Sequence, residues 1–151
     1  MLKKNQMHSF LLIDDGFDEL EVVYLLHTFR RAGLSIKSVS LGNKLVYSQH
    51  GVAIKADHCL VDEPVRPNDA TMLILPARGY NGESLRRDAR VKSLIQSVTT
   101  DNGLVAVTDE ASPLAKDLGE WLPQVTCQPQ SGQGLIEFVN GLADRIGLGT
   151  L

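Results

Sequence analysis

A chain of 151 residues with 43% hydrophobic content is long enough for one domain with a substantial core, and we read residues 1–151 as a single domain. The formal net charge is −3 and the lysines and arginines are scattered, without the basic stripe that backbone-phosphate binding needs, so nucleic acid is not expected as a partner. Two cysteines, Cys59 and Cys127, are too few for a disulfide framework, and no run approaches the roughly 18 apolar residues of a membrane span.

Met1 to Gln6 carries two lysines, but the apolar run behind it, Phe10 to Ile13, is cut short by Asp14 and Asp15. That is too brief for a signal-peptide core, and a cytoplasmic protein without membrane contact is the expectation. Ser9 to Asp14 has the form of a strand buried on both faces of a parallel sheet. Gly16 then permits a sharp turn, Asp18 is placed to cap a helix with Glu21 as its capping-box partner, and Val22, Leu25, Leu26 and Phe29 follow at helical spacing. Gly33, after Arg30 and Arg31, predicts the end of that helix.

Leu34 to Leu41 alternates like a strand, and Leu45 to Ile54, broken at Gln49-His50-Gly51, predicts a hairpin. Asp69 to Leu75 predicts another buried strand, closed by Pro76. Val91, Leu94, Ile95 and Val98 restore the helical period until Asp101-Asn102-Gly103, after which Gly103 to Thr108 predicts a further core strand. A helix is expected over Ser112 to Leu118, Leu122 to Ser131 has no clear period, and Leu135, Phe138, Val139, Leu142 and Ile146 mark a last amphipathic helix. Gly132-Gln133-Gly134 before it lacks a phosphate-loop pattern and is read as a turn that permits close packing.

Strands alternating with helices in this order predict a doubly wound α/β fold, a three-layer α/β/α sandwich around a mainly parallel sheet. Ligands in such sheets sit beyond the carboxyl ends of the strands, which places function in the loops 14–21, 76–80 and 108–112.

The runs Phe10-Leu-Leu-Ile-Asp-Asp-Gly-Phe-Asp-Glu-Leu-Glu21, Arg30-Arg-Ala-Gly33, Leu73-Ile-Leu-Pro76 and Gly103-Leu-Val-Ala-Val-Thr108, taken together, resemble the ThiJ/PfpI family of the class I glutamine-amidotransferase-like superfamily. The resemblance implies a flavodoxin-like fold and a homodimer built on the first helix and nearby strands. It also implies a site made of a cysteine on a strained turn, a glutamate at the start of the first helix, and glycine amides after the Leu-Pro strand.

Carried onto this chain, the glutamate is Glu21, but the cysteine position falls on Asp109 and the glycine pair becomes Ala77-Arg78-Gly79. All four histidines, His8, His27, His50 and His58, precede the turn, where many members place one after it, and the stretch from Gly119 to Gly132 is shorter than the family's. The chain therefore reads as a shortened member without the nucleophilic thiol.

Two functions follow. In one, the protein is catalytically degenerate and binds a small polar ligand or a protein partner at a pocket of Glu21, Ala77, Arg78, Gly79, Asp109 and Glu110. In the other, a hydrolase, amidase or deglycase-like enzyme works with a Glu21/Asp109 carboxylate pair, one of the two holding a raised pKa or Asp109 acting as a nucleophile. The bland counterpart of that pair is an ion-pair cluster neutralised by Arg78. No cofactor is expected. Asp14, Asp15, Asp18, Glu21, Asp109 and Glu110 are oxygen donors without metal-ligand spacing, and the neighbours Asp57, His58 and Cys59 read as ordinary packing, so no metal is expected either. Cys127 is an exposed thiol with no partner in view.

Overall fold

The computed structural model describes residues 8–66, 71–122 and 126–147. Strand β1 (His8–Ile13) runs along the sheet's interior, and helix α1 (Glu19–Arg31) returns the chain to β2 (Ile36–Ser40). A hairpin of β3 (Leu45–Tyr47) and β4 (Ala53–Lys55) precedes β5 (His58–Cys59) and β6 (Thr71–Leu75). Helices α2 (Asn81–Arg87) and α3 (Ala89–Thr100) lead to β7 (Leu104–Val107), and α4 (Pro113–Trp121), β8 (Thr126–Cys127) and α5 (Leu135–Gly147) complete the described chain.

The main sheet has the order β5-β2-β1-β6-β7-β8, and every pairing in it is parallel. Because side chains alternate across a strand, each central strand feeds two cores. Leu11, Ile13, Met72, Ile74 and Ala106 pack with Val22, Leu25 and Phe29 of α1 and with Phe138, Val139 and Leu142 of α5. Leu12, Leu73, Leu75, Val105 and Val107 face the other way, onto Leu85 of α2, Val91, Ile95 and Val98 of α3, and Leu114 and Leu118 of α4. The fold is the expected three-layer sandwich.

Several local expectations need correction. Asp18 does cap α1, accepting from the Leu20 amide at 3.0 Å, but Glu21 does not close a capping box. Its side chain is wholly buried and turned to the end of β7. Helix α2 was not anticipated, nor was β8, and α4 runs beyond Leu118 to Trp121 behind the Ser112 N-cap. Asp69 and Ala70 of the expected strand lie outside the described residues, and β6 begins at Thr71.

Gly132 does sit in a turn with φ +82, but a Cβ at Gly132 or Gly134 would meet nothing within 4 Å, so close packing is not the reason for these glycines. The hairpin turn at Gly51 (φ +82) and the helix stop at Gly33 (φ +75) are as expected, since both need the left-handed region glycine tolerates.

Candidate functional site at the carboxyl ends of the central strands

Four loops meet where β1, β6 and β7 end. The Gly16 carbonyl accepts from the Tyr80 amide (3.0 Å) and the Gly16 amide donates to the Tyr47 carbonyl (2.8 Å). Phe17 is buried and bridges Ser48 on one side and Gly79 on the other. Gly79 has φ +65, and a Cβ there would lie 2.7 Å from the Gly16 oxygen, so both conformation and space demand glycine at this crossing.

Asn81 fastens the strand ends from beneath. Fully buried at the start of α2, it accepts from the Asp14 amide (2.7 Å) and donates through Nδ2 to the carbonyls of Pro76 (2.7 Å) and Leu12 (3.1 Å).

Glu21 lies at the centre. The parity that turns Val107 toward α3 and α4 turns the next residue, Thr108, toward α1. There the Thr108 hydroxyl donates to Glu21 Oε1 at 2.6 Å and accepts from the Ala77 amide at 2.9 Å. Thr108 thus joins the end of β7, the first turn of α1 and the loop after β6. Glu21 Oε2 is buried without a hydrogen-bond partner, with Arg78 Nε at 3.6 Å. Burial pushes the Glu21 carboxyl up to about 7, the nearby Asp18 charge adds to this, and the Thr108 hydrogen bond and Arg78 act against it.

Asp109 has a different task. Its Oδ1 accepts from the Ala111 amide at 3.0 Å, and its carbonyl accepts from the Ser112 hydroxyl (2.7 Å) and amide (3.2 Å). The residue is half-buried, and its side chain shapes the turn that feeds α4. Among the described residues Asn102 is the one non-glycine with positive φ, so Asp109 does not occupy the left-handed conformation. The charges acting on Glu21 are those of Arg78 and Asp18, and Asp109 is not among them. The structure therefore brings Glu21, Ala77 and Arg78 together around Thr108, with Gly79 set against Gly16, and it leaves Asp109, with exposed Glu110 beside it, engaged in its own turn.

The cysteines stand elsewhere. Cys59 is buried at the β5 edge, its Sγ donating to the Gly42 carbonyl at 2.7 Å. Cys127 is half-buried in β8, not fully exposed as expected, and receives a contact from Arg145 Nη1 at 3.1 Å. His58 pairs with Glu63 (2.7 Å), while Asp57 holds Ser38 and Arg30. Among the described residues no three His, Cys, Asp or Glu side chains form a metal-binding group, and no helix is long and apolar enough to cross a membrane.

Sequence reasoning placed Thr108 at the edge of a functional loop without a role, and it missed Asn81. The signal for Thr108 was available, because it is the polar residue ending an apolar strand one step before the turn, on the face that looks at α1. Asn81 carried no comparable mark.

Comparison with known proteins agrees with this architecture. A deglycase of Thermococcus kodakarensis is 27% identical over 100 residues, 66% of this chain and 58% of that one, so the match spans less than two thirds of the relative's length. DJ-1beta of Drosophila melanogaster superposes with a TM-score of 0.74 at 18% identity, covering 94% of this chain and 91% of the other. A DJ-1 superfamily protein of Salmonella typhimurium gives 0.73 at 18% identity, covering 93% and 90%. At these identities the two structures speak for the fold. The model of the DJ-1/PfpI family matches residues 8–114, well over half of the sequence, and the chain belongs to that family.

Proposed function

We propose that this chain is a DJ-1/PfpI domain that has given up thiol chemistry and acts by binding a small polar ligand beside Glu21, Ala77, Arg78, Gly79, Asp109 and Glu110. The observation that carries the reading is that one oxygen of each carboxylate is already engaged within the protein. Glu21 Oε1 is taken by the Thr108 hydroxyl at 2.6 Å, and Asp109 Oδ1 is taken by the Ala111 amide at 3.0 Å. The amide donor on Oδ1 draws charge from the Asp109 carboxylate and ties it to its own turn, which makes it a poorer nucleophile. With no cysteine at the turn, the usual nucleophile of the family is missing from its place.

The enzyme reading keeps one supporting observation. A carboxyl with a pKa of about 7 is matched to proton transfer at physiological pH, and the Thermococcus relative is named a deglycase. One experiment separates the two. Wild type and Asp109→Asn are screened against esters, amides and glyoxal adducts with thiol reagents excluded. The binding reading expects no turnover from either; turnover that disappears in Asp109→Asn while the melting temperature holds would establish the enzyme.

Two further parts of the reading concern the molecule's setting. Two free thiols suit a reducing compartment, which supports a cytoplasmic protein. Exposed apolar residues on α1 and the hairpin, Leu20, Val23, Leu45 and Tyr47, support a homodimer through that side.

A further inference from the structure

Arg78 is a side chain with freedom on a backbone that has none. On its N-terminal side the Pro76 carbonyl accepts from Asn81 Nδ2 (2.7 Å) and the Ala77 amide donates to Thr108 Oγ1 (2.9 Å). On its C-terminal side Gly79 is wedged against the Gly16 oxygen and the Tyr80 amide donates to that same oxygen (3.0 Å). Between these fixed points the Arg78 side chain is 40% exposed, and among the described residues its one polar partner is Glu21 Oε2, at 3.6 Å. That separation is an ion-pair contact and too long for a hydrogen bond. Oε2 itself is buried and unsatisfied.

We propose that Arg78 is a proton-controlled arm over this site: ionised Glu21 holds the guanidinium across the ends of β6 and β7, and protonation of Glu21 releases it to solvent.

A buried carboxylate with one unpaired oxygen is costly, and the adjacent cation offsets part of that cost, after the Thr108 hydrogen bond. Once the carboxyl is neutral, the attraction falls to a weak dipolar contact, which does not repay the entropy of ordering an arginine. The groups that face Glu21 are the guanidinium and the backbone amide of Arg78 from the loop after β6, Asp18 from the start of α1 and the uncharged Thr108 hydroxyl from the end of β7. Asp18 is tied to the Leu20 amide. With burial setting the carboxyl at about 7, the arm changes state near neutral pH. The inference addresses how access to the proposed binding site is regulated, and its readout is the arm itself, so failure here leaves the ligand-binding reading to its own test.

The experiment is a titration of the full, isotope-labelled chain from about pH 5.5 to 8.5, spanning the expected midpoint. The Glu21 carboxyl carbon and the Arg78 Nε–H are followed together by NMR. The two chemical shifts are expected to share one midpoint near 7, with the Arg78 Nε resonance moving from its ion-paired position above it to that of a free guanidinium below. Arg78→Met should move the Glu21 midpoint upward, since an attracting cation has been removed, and Glu21→Gln should hold the Arg78 Nε shift at its free-guanidinium value at every pH. An Arg78 signal that stays flat while Glu21 titrates, or a Glu21 midpoint indifferent to Arg78→Met, would overturn the proposal. Should Glu21→Gln not fold, the wild-type titration and Arg78→Met decide it.

Discussion

Glu21 occupies a place where the local rule and the tertiary structure compete. Three residues after an N-cap aspartate, a glutamate ordinarily reaches back to the cap amide in a solvent-exposed ring. Here the same position faces the sheet, and the side chain is drawn inward because Thr108 offers a donor there. The consequence is a stability that depends on pH in a definite direction. The folded protein keeps the Glu21 proton up to about pH 7, whereas the unfolded chain releases it near the ordinary carboxyl value of 4.5. The folded state therefore binds more protons across that window, and stability is greatest below it and falls as pH rises toward 7. The full effect is about 3 kcal/mol. Glu21→Gln keeps a polar group for Thr108 and removes the titration, so urea unfolding at a series of pH values should show the decline in wild type and a flat profile in the variant. A decline that survives the substitution would assign it to another group.

At the scale of elements, the strand ends matter more than the strands. The runs that became β1, β6 and β7 were legible because a strand buried on both faces must be apolar throughout, and the hairpin was legible because Gly51 interrupts two short alternating segments. Helix α2 was not legible: seven residues with Leu85 as their one large apolar side chain give no period to read. What holds α2 in place is Asn81, whose three hydrogen bonds reach the ends of β1 and β6, a role set by the meeting of distant segments and invisible to local patterning. Asn81→Ala leaves the Asp14 amide and the Leu12 and Pro76 carbonyls without that partner. Each buried group left unsatisfied costs about 1–3 kcal/mol, and water admitted to the gap would recover part of this, so the expected loss is about 2–4 kcal/mol in chemical denaturation. A loss under about 1 kcal/mol would mean that the loops hold their positions without Asn81.

For the molecule as a whole, the sheet's two faces are covered unequally. Helices α2, α3 and α4 lie on one, and α1 with α5 on the other. The family resemblance pointed to the site's residues by position, but it could not show that Thr108 satisfies Glu21 or that the Asp109 carboxylate turns to its own loop, since both depend on three-dimensional packing. The first turns of α1 expose apolar side chains, Leu20 77% and Val23 47%, and Val23 and Leu26 line one groove with Ile54 of the hairpin, rimmed by His27, Arg30 and Arg31. Helix and hairpin thus offer a continuous surface of the kind a two-fold interface uses, the same patch meeting its copy. If the proposed dimer forms there, Val23→Glu introduces a charge into each half of the interface with no partner to neutralise it, which is costly in a desolvated contact and harmless at a site half open to water. Light scattering after size exclusion should then report a dimer for wild type and a monomer for Val23→Glu, with the same far-ultraviolet circular dichroism for both. A wild type that runs as a monomer at tens of micromolar, or a Val23→Glu variant that stays dimeric, would remove α1 from the interface.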